Sequence, residues 1–456
     1  MVEVPVKMYI ANLLKKAREA AKVVSLLSGP IKNKALHAMA DRLLADEEAI
    51  LEANEQDVDA VGKTMLAGET SRDRMREAVA RLRTTPDDIK EMVDRLRRVA
   101  DLPDPVGEVT ARWEELNSMQ VSRVRVPIGV IGVVSELKPL VMVESVALCL
   151  KSGNVCVFRG APEWGRTQQI ITTGLREAAE AAGVPVGALS FIERPEKEGA
   201  IELIRSTKAL DAIIPCGGPG LRKVVVESAR MPVLCDGGGI SHIYIDEDVD
   251  LPMAQNLVVN SKVQQAAATN SSDTLLVHQG IARPLLPALA LRLLDEFKVE
   301  VLGCPKTVSL MGQMALSGHK TMKPATDEDW GKQFRSPTMA VKVVASMEEA
   351  LDHIRQYGPS QTDVIVTKSY DAAMRFTREV DAAAVLVNAS SRLHAGETFG
   401  FGPDIGISTS RVSAKGPIGL EQLTCEKYVV FGTGQLRQPH PVPVTYEDAI
   451  MLKRPS

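Results

Sequence analysis

The sequence predicts an α/β protein built from two doubly wound parallel sheets. Two observations carry that expectation. From about residue 128 to residue 388, short apolar runs alternate with amphipathic helical periods. Glycine-rich turns fall where several of those runs end, as between "IIPC" and "LRKVV" at 213–225. A third observation sets the amino-terminal part aside. Residues 8–100 carry helical periodicity with dense charge and no strand-like run.

That helical part reads as "IANLLKKAREAAKVVSLL", "KALHAMADRLLADEEAILEANEQDVDAV" and "DDIKEMVDRLRRVADL". The breaks are "SGP" at 28–30 and "TTPDD" at 84–88, where Thr85 can cap the third helix ahead of Pro86. The stretch "NSMQVSRVRVPIGVIGVVSE" then alternates before turning continuously apolar, as an extended ribbon does on entering a buried strand. Strand–helix units follow: "NVCVFRG" with "RTQQIITTGLREAAEAAG", "ALSFIE" with "KEGAIELIRST", and "LDAIIPCGG" with "GLRKVVVESAR". "MPVLCD" is expected as a further strand leading to "HIYID". A second set runs over about 269–385, with strands "DTLLVH", "MAVKVVAS", "TDVIVTKS" and "AAAVLVNA" and helices between them. The segment after 434 is proline-rich and polar, and is expected to be a peripheral arm.

Composition narrows the function. The chain has 456 residues, 45% hydrophobic and 25% charged, enough for two or three domains with real cores. A net charge of -4, with Lys and Arg scattered among acids, argues against nucleic acid as a partner. Aromatic residues at 4% leave no base-stacking platform. No run of about 18 apolar residues predicts a membrane span. The six cysteines form neither a CxxC pair nor a metal-spaced pattern, so they are expected as reduced thiols of a cytoplasmic protein, with no metal site.

Several segments carry candidate chemistry. "VVNSKVQQAAATNSSDTLLVH" (258–278) resembles the pocket segment of an enzyme, with Thr269 and Asn270 at its centre. The glycines Gly217, Gly218 and Gly220 stand between a strand and a helix, where backbone amides can face a phosphate; a tight turn is the plain alternative. The sequence there is not GxGxxG. Arg159 ends a strand where a charge can meet a cofactor, or simply pair at the surface. Cys235 and Asp236 precede three glycines, either as reactive groups or as an inert thiol beside a solvated acid. Asn388, Ser390, Ser391 and Arg392 lie in a long polar loop and can grip a carboxylate or phosphate, or be solvated.

Taken together, "PDPVGEV", "RVRVPIGVIGVVSE", "ALCLKSGNVCVFRG", "IIPCGGPGL", "SHIYID", "NSKVQ", "VNASSR", "FGFGPDIGIST" and "AKGPIGLEQLT" resemble the aldehyde dehydrogenase superfamily. Within it they are most similar to the gamma-glutamyl phosphate reductases, from about residue 8 to 432. The resemblance implies an aldehyde-dehydrogenase-like α/β fold: two doubly wound α/β domains plus a small β oligomerisation arm. Residues 1–256 would form the cofactor-binding domain, with a ribbon at 113–128 for oligomerisation. Residues 257–386 would form the catalytic domain, 387–433 a return segment to the cofactor domain, and 434–456 a carboxy-terminal arm. The implied reaction is NADPH-dependent reduction of L-glutamyl 5-phosphate to the 5-semialdehyde, a step of proline biosynthesis, through a cysteine thioester. The resemblance implies a homodimer or larger assembly; glutamate 5-kinase or an active reductase paralogue would be partners if the chain is a non-catalytic paralogue.

The same resemblance marks departures. Thr269 stands where the family has its nucleophilic cysteine, before Asn270. Leu140 stands at the position of an Asn expected to donate to the oxyanion, and Lys138 and Gln265 at positions of substrate-binding arginines. Gln333 stands at the acid expected to hold the nicotinamide ribose, and Cys216 at another arginine. Asp236 roughly matches the superfamily's general base. A threonine hydroxyl is not ionised near neutral pH and needs a dedicated base, whereas a thiol supplies thiolate. Weak reductase activity and weakened NADPH binding are therefore expected. The alternatives are a non-catalytic paralogue that binds a nucleotide, metabolite or partner, an enzyme of altered chemistry, or a relocated thiol at Cys235 or Cys216.

Overall fold

The computed structural model describes residues 5–67, 72–115, 119–194, 196–234, 238–315, 322–412 and 414–435. Five helices open the chain: α1 (Val6–Val24), α2 (Gly29–Ala45), α3 (Glu47–Ala67), α4 (Arg72–Leu82) and α5 (Pro86–Asp101). The single long second helix expected from the sequence is two helices, turned at Asp46, whose carboxylate accepts from Arg42 Nε at 2.6 Å. Periodicity does not register such a turn, because α2 and α3 both keep helical spacing. Helix α5 starts as expected. Thr85 Oγ1 accepts from the Asp88 amide at 3.2 Å, and Asp88 Oδ2 accepts from the Thr85 amide at 2.8 Å, a reciprocal cap. Its buried stripe, Ile89, Met92, Val93, Leu96, Val99 and Ala100, follows helical spacing onto the first core.

A ribbon, β1 (Val109–Glu114) and β2 (Gln120–Pro127), leads into β3 (Val130–Ser135). Then come α6 (Pro139–Lys151), β4 (Val155–Arg159), α7 (Gly165–Ala181), β5 (Leu189–Phe191), α8 (Lys197–Arg205), β6 (Ala212–Cys216) and α9 (Pro219–Ser228). The strands form a parallel sheet in the order β5-β4-β3-β6. Every residue of β3, β4 and β6 is buried, which is why these strands read as unbroken apolar runs. The segment "MPVLCD" is not a strand: Val233 makes a single bridge to Ile213, and 235–237 lie outside the described residues.

The second sheet draws on β7 (Ile240–Ile245), α10 (Leu251–Val263), β8 (Thr274–His278), α11 (Gln279–Ala290), β9 (Glu300–Gly303), α12 (Pro305–Ala315), β10 (Met322–Pro324), β11 (Thr338–Val344), α13 (Met347–Tyr357), β12 (Ser360–Val366), α14 (Tyr370–Glu379) and β13 (Ala382–Val387). Its order is β10-β9-β11-β8-β7-β12-β13, with parallel pairing throughout. Strand β7 falls within the 1–256 unit expected from the sequence, yet it hydrogen-bonds to β8 and β12 and so belongs to this sheet. Helix α10 crosses residue 256 and packs Ala254, Val258 and Val259 into the same second core.

After β13 the chain returns to the first core, where Ile405, Ile418, Leu420 and Leu423 are buried. A short hairpin, β14 (Ile407–Thr409) with β15 (Lys415–Pro417), precedes β16 (Thr424–Phe431). β16 pairs antiparallel with β2, making the three-stranded arm β1-β2-β16. Among the described residues no helix is long and apolar enough to cross a membrane.

Candidate functional site

The two sheets meet at opposite ends. The carboxyl ends of the first, at Arg159, Phe191 and Cys216, face solvent-accessible turns, where open α/β sheets bind ligands. The amino-terminal ends of β7, β8 and β12 in the second sheet carry Gly239, Thr269–Asp273 and Pro359–Gln361. A cleft of about 490 Å³ joins the two regions, lined by Pro219 and Arg222 on α9, by Gly238–Ile240, and by Gln333–Arg335 and Pro359. Gly239 is required there: a Cβ would lie 2.8 Å from the Gln361 amide nitrogen.

Thr269 is held by two glutamines. Gln361 Nε2 donates to Thr269 Oγ1 at 3.1 Å. Gln333 Nε2 donates to the Thr269 carbonyl at 3.2 Å and to the Gly239 carbonyl at 2.9 Å, while its Oε1 accepts from Arg335 Nε at 3.2 Å. Arg335 itself sits at φ 48°, a left-handed conformation that is uncommon for a side-chain-bearing residue and collects at functional loops. Among the described residues no carboxylate or imidazole is hydrogen-bonded to the Thr269 hydroxyl, as a base taking its proton would be.

The turn around Thr269 is fastened from the return segment. Asn270 Nδ2 donates to the His394 carbonyl at 2.8 Å, and Ser391 Oγ donates to the Asn270 carbonyl at 2.7 Å. Ser390 Oγ and Ser261 Oγ lie 3.1 Å apart, as do Ser391 Oγ and Ser272 Oγ. Ser390 and Ser391 are thus buried fasteners rather than ligand-facing groups, because a polar loop closed over a polar turn must satisfy its own hydroxyls. Asn388 is likewise turned away. It accepts from the Thr367 amide and donates to the Thr367 carbonyl, both at 2.9 Å, so neither half of its amide grips a carboxylate or phosphate.

Arg392 behaves differently. Its Nε and Nη2 donate to Gln264 Oε1 and Gln265 Oε1, each at 2.8 Å. Burial pushes its basicity down, and no carboxylate faces it among the described residues. Two neutral acceptors orient a guanidinium without neutralising it, which leaves it suited to an anionic ligand. Lys138 does not join this cluster; its ammonium pairs with Asp88 at 3.2 Å, at the start of α5. Leu140 packs partly buried against the first core and offers no donor. Asp236 and Cys235 lie outside the described residues.

Beneath the turn, Lys262 is fully buried and its Nζ has no hydrogen-bond partner. Burial lowers its pKa to about 8, against the pull of Asp273. Burial also raises Asp273 to about 6, although its carboxylate accepts from the Phe334 amide at 3.0 Å and the Ser241 amide at 3.2 Å. Asp273 therefore anchors the Gln333–Phe334 loop beside Thr269, and the Lys262 ammonium lies 5.8 Å from the centre of the Phe334 ring. His394 Nδ1 lies 2.8 Å from Thr362 Oγ1, its ring stacks on Phe399, and burial holds its pKa near 4. The sequence reading missed Gln361, His394, Lys262 and Asp273. One signal could have found Gln361: Ser360–Asp363 is a run of four polar residues opening a strand, and all four are buried.

The first-sheet end of the site has two parts. At the ends of β4 and β5 a pocket of about 250 Å³ is lined by Arg159, Gly160, Gln168, Thr172, Glu193 and Arg194, among others. Arg159 is buried there, donates to the Gly160 carbonyl and has its basicity lowered by burial. The glycine turn before α9 is engaged by the protein itself. Glu136 Oε2 accepts from the Gly218 amide at 3.1 Å. A Cβ on Gly217 would lie 2.6 Å from that same oxygen, so glycine is what lets the carboxylate lie against the turn.

Comparison with known proteins places this geometry. The sequence profile of the aldehyde dehydrogenase family matches residues 6–301. A gamma-glutamyl phosphate reductase from Heliobacterium modesticaldum is 43% identical over 93% of this chain and 97% of its own. One from Moorella thermoacetica is 44% identical over the same shares. The crystal structure of the gamma-glutamyl phosphate reductase from Thermotoga maritima is 38% identical, with a TM-score of 0.87 over 94% of this chain and 100% of that one. An acetylating aldehyde dehydrogenase from Geobacillus thermoglucosidasius, 17% identical with a TM-score of 0.66, shares the fold.

Proposed function

This chain belongs to the aldehyde dehydrogenase family, among the gamma-glutamyl phosphate reductases, and on that premise we propose that it keeps the family's ligand framework without efficient acyl-transfer chemistry. Its ancestral reaction is the NADPH-dependent reduction of L-glutamyl 5-phosphate to the 5-semialdehyde. Its present role is to bind a small carboxylate-bearing metabolite at Arg392, with turnover slow or absent. The observation that carries this reading is the Thr269 hydroxyl, hydrogen-bonded to a neutral Gln361 amide at 3.1 Å and to no base among the described residues. A neutral amide donor stabilises a hydroxyl in place; it does not deprotonate it.

Membership implies a nicotinamide cofactor, and the residues fit it unevenly. The pocket at Arg159 has the mix of apolar wall and cations that a nucleoside phosphate uses. The nicotinamide side does not fit. Gln333 directs both amide hydrogens to backbone carbonyls, and the Gly218 amide already has a carboxylate acceptor. Groups already bonded to the protein itself cannot seat a nicotinamide riboside without first giving up those bonds.

The test is the reverse reaction, run with glutamate 5-semialdehyde, phosphate and NADP. Turnover more than tenfold below that of a relative with cysteine at this position supports the reading. Turnover within tenfold overturns it.

We further propose assembly through the β1-β2-β16 arm as a homodimer or larger, in the cytoplasm, with glutamate 5-kinase or an active reductase paralogue as candidate protein partners. Trp113 and Tyr428 stack edge-on across the arm at 6.2 Å, and Tyr428, Val430 and Phe431 are exposed. Exposed aromatic and β-branched residues on one arm suit a second apolar surface. Phe431→Asp should shift the mass measured by sedimentation toward the monomer.

A further inference from the structure

We infer that the first unit binds adenine nucleotides through their adenosine half alone, and that the nicotinamide half of a dinucleotide adds nothing to its affinity. The inference rests on the family reading, which puts the nucleotide on the first sheet, and goes beyond it by dividing the site in two.

The adenosine half has a place. The pocket at the carboxyl ends of β4 and β5 opens where ligands meet such sheets. It combines apolar wall from Met142, Phe158 and Phe191 with the cations Arg159 and Arg194, and with Glu193, whose carboxylate is paired with Arg176 at 3.7 Å. An apolar wall with a few placed polar groups is what a purine riboside bearing a phosphate requires.

The nicotinamide half meets two obstacles. A pyrophosphate crossing to the second sheet must use the amides at the start of α9, where backbone N–H groups and the helix dipole favour an anion. Glu136 already supplies that anion: its carboxylate accepts from the Gly218 amide at 3.1 Å. A diphosphate must displace it or lie beside a like charge. Past that point, a ribose needs an acceptor for its hydroxyls. Gln333 gives both amide hydrogens to the Thr269 and Gly239 carbonyls, and its oxygen accepts from Arg335. An arm of the ligand that gains no contact contributes no affinity, only ordering cost.

The experiment is calorimetric titration of the full chain with matched pairs: NADPH against adenosine 2′,5′-bisphosphate, and NADH against ADP. The expected result is that, in whichever pair binds, the two affinities agree within about threefold, and that nicotinamide fluorescence is unchanged on saturation. Tenfold tighter binding of the dinucleotide, or an enhanced and blue-shifted nicotinamide emission, overturns the inference. So does failure of both pairs to bind. Because these readouts are binding, they stand apart from the turnover assay that tests the loss of chemistry. Glu136→Gln should tighten the dinucleotide severalfold and leave the matched mononucleotide unchanged; no change in either would remove the role given to Glu136. Arg159→Ala should weaken the mononucleotide at least tenfold. Arg159 is buried, so a second variant guards against misfolding. Gly165→Asp builds a carboxylate at the pocket rim, at the first position of α7, where a Cβ meets nothing within 4 Å. An acid is favourable at a helix start. Gly165→Asp should fold normally and weaken the mononucleotide by a similar factor, and undiminished binding would place the nucleotide elsewhere.

Discussion

Restoring the missing thiol should not restore the reaction. In Thr269→Cys the new sulfur would inherit a neutral donor, Gln361 Nε2, now 3.1 Å from the hydroxyl oxygen. Arg392 is tied to Gln264 and Gln265, and Lys138 is paired with Asp88, so neither is directed at it. An unassisted thiol has a pKa of about 8.5, so only about 3% is thiolate at pH 7. An adjacent cation lowers such a pKa by about 1–3 units, and a shift of about 2 makes roughly three quarters of it thiolate. The difference is about 25-fold in nucleophile. The oxyanion donor is absent as well, since Leu140 has none, and that loss typically costs about 10²–10³ in rate. The single variant should therefore fall about 10³-fold or more below the combination of Thr269→Cys with Leu140→Asn, Lys138→Arg, Gln265→Arg and Gln333→Glu. The assay is reverse turnover with semialdehyde, phosphate and NADP, beside iodoacetamide alkylation across pH to read the thiol pKa. A single variant within tenfold of the combined one, or a thiol pKa well below 8.5, would refute the reasoning.

Three further outcomes are expected. His353 is buried between Trp330, Tyr357 and His242 with both ring nitrogens unpartnered, and burial lowers its pKa to about 3. The unfolded chain binds its proton between pH 6.5 and 3 while the folded chain does not, so stability is lost as pH falls through that window. At pH 5 the loss is about 2 kcal/mol relative to pH 8. His353→Phe should flatten the acid limb of a urea-midpoint profile by that amount, and an unchanged limb would count against it. Asp363→Ala strips the acceptor from buried His242 Nδ1, now at 2.9 Å, and should cost about 1–3 kcal/mol or more in the same denaturation assay. Thr85→Ala removes the reciprocal cap of α5 and should cost about 1 kcal/mol, read as a lowered thermal midpoint.

Much of the fold was legible because burial writes itself into pattern. β3, β4 and β6 are buried on both faces and appear as apolar runs; α5 shows its stripe and its cap. The short strands β9 and β10 were not legible, since three or four residues leave no period to read. Nor was the sheet to which β7 belongs, because pairing partners lie in distant sequence and an apolar run fits either sheet. The site divides the same way. Thr269, Leu140 and Gln333 were found by position, as residues standing where other groups were expected. The second role of each neighbouring side chain depends on contacts across distant sequence, which no local pattern records. Ser390, Ser391 and Asn388 have ligand-binding chemistry, but their hydrogen bonds go to the protein's own backbone and hydroxyls.

The pattern of hydrogen bonds also bears on whether Thr269 is an isolated change. A lone cysteine-to-threonine substitution would leave a charged acyl-phosphate site around a misplaced hydroxyl. The side chains bonded to Thr269 and to Arg392 are instead amides. Gln361 meets the Thr269 hydroxyl, Gln333 meets its carbonyl, and Gln264 and Gln265 meet Arg392. An amide can bond a neutral hydroxyl and orient a guanidinium without changing the charge on either. At Gln361, which is fully buried, an arginine or glutamate would bring a charge that the neutral Thr269 hydroxyl does not balance, which is costly. The four glutamines and the threonine are thus mutually consistent as a ground-state binding site. None of these five side chains carries the charge that an acyl-transfer nucleophile or oxyanion donor needs.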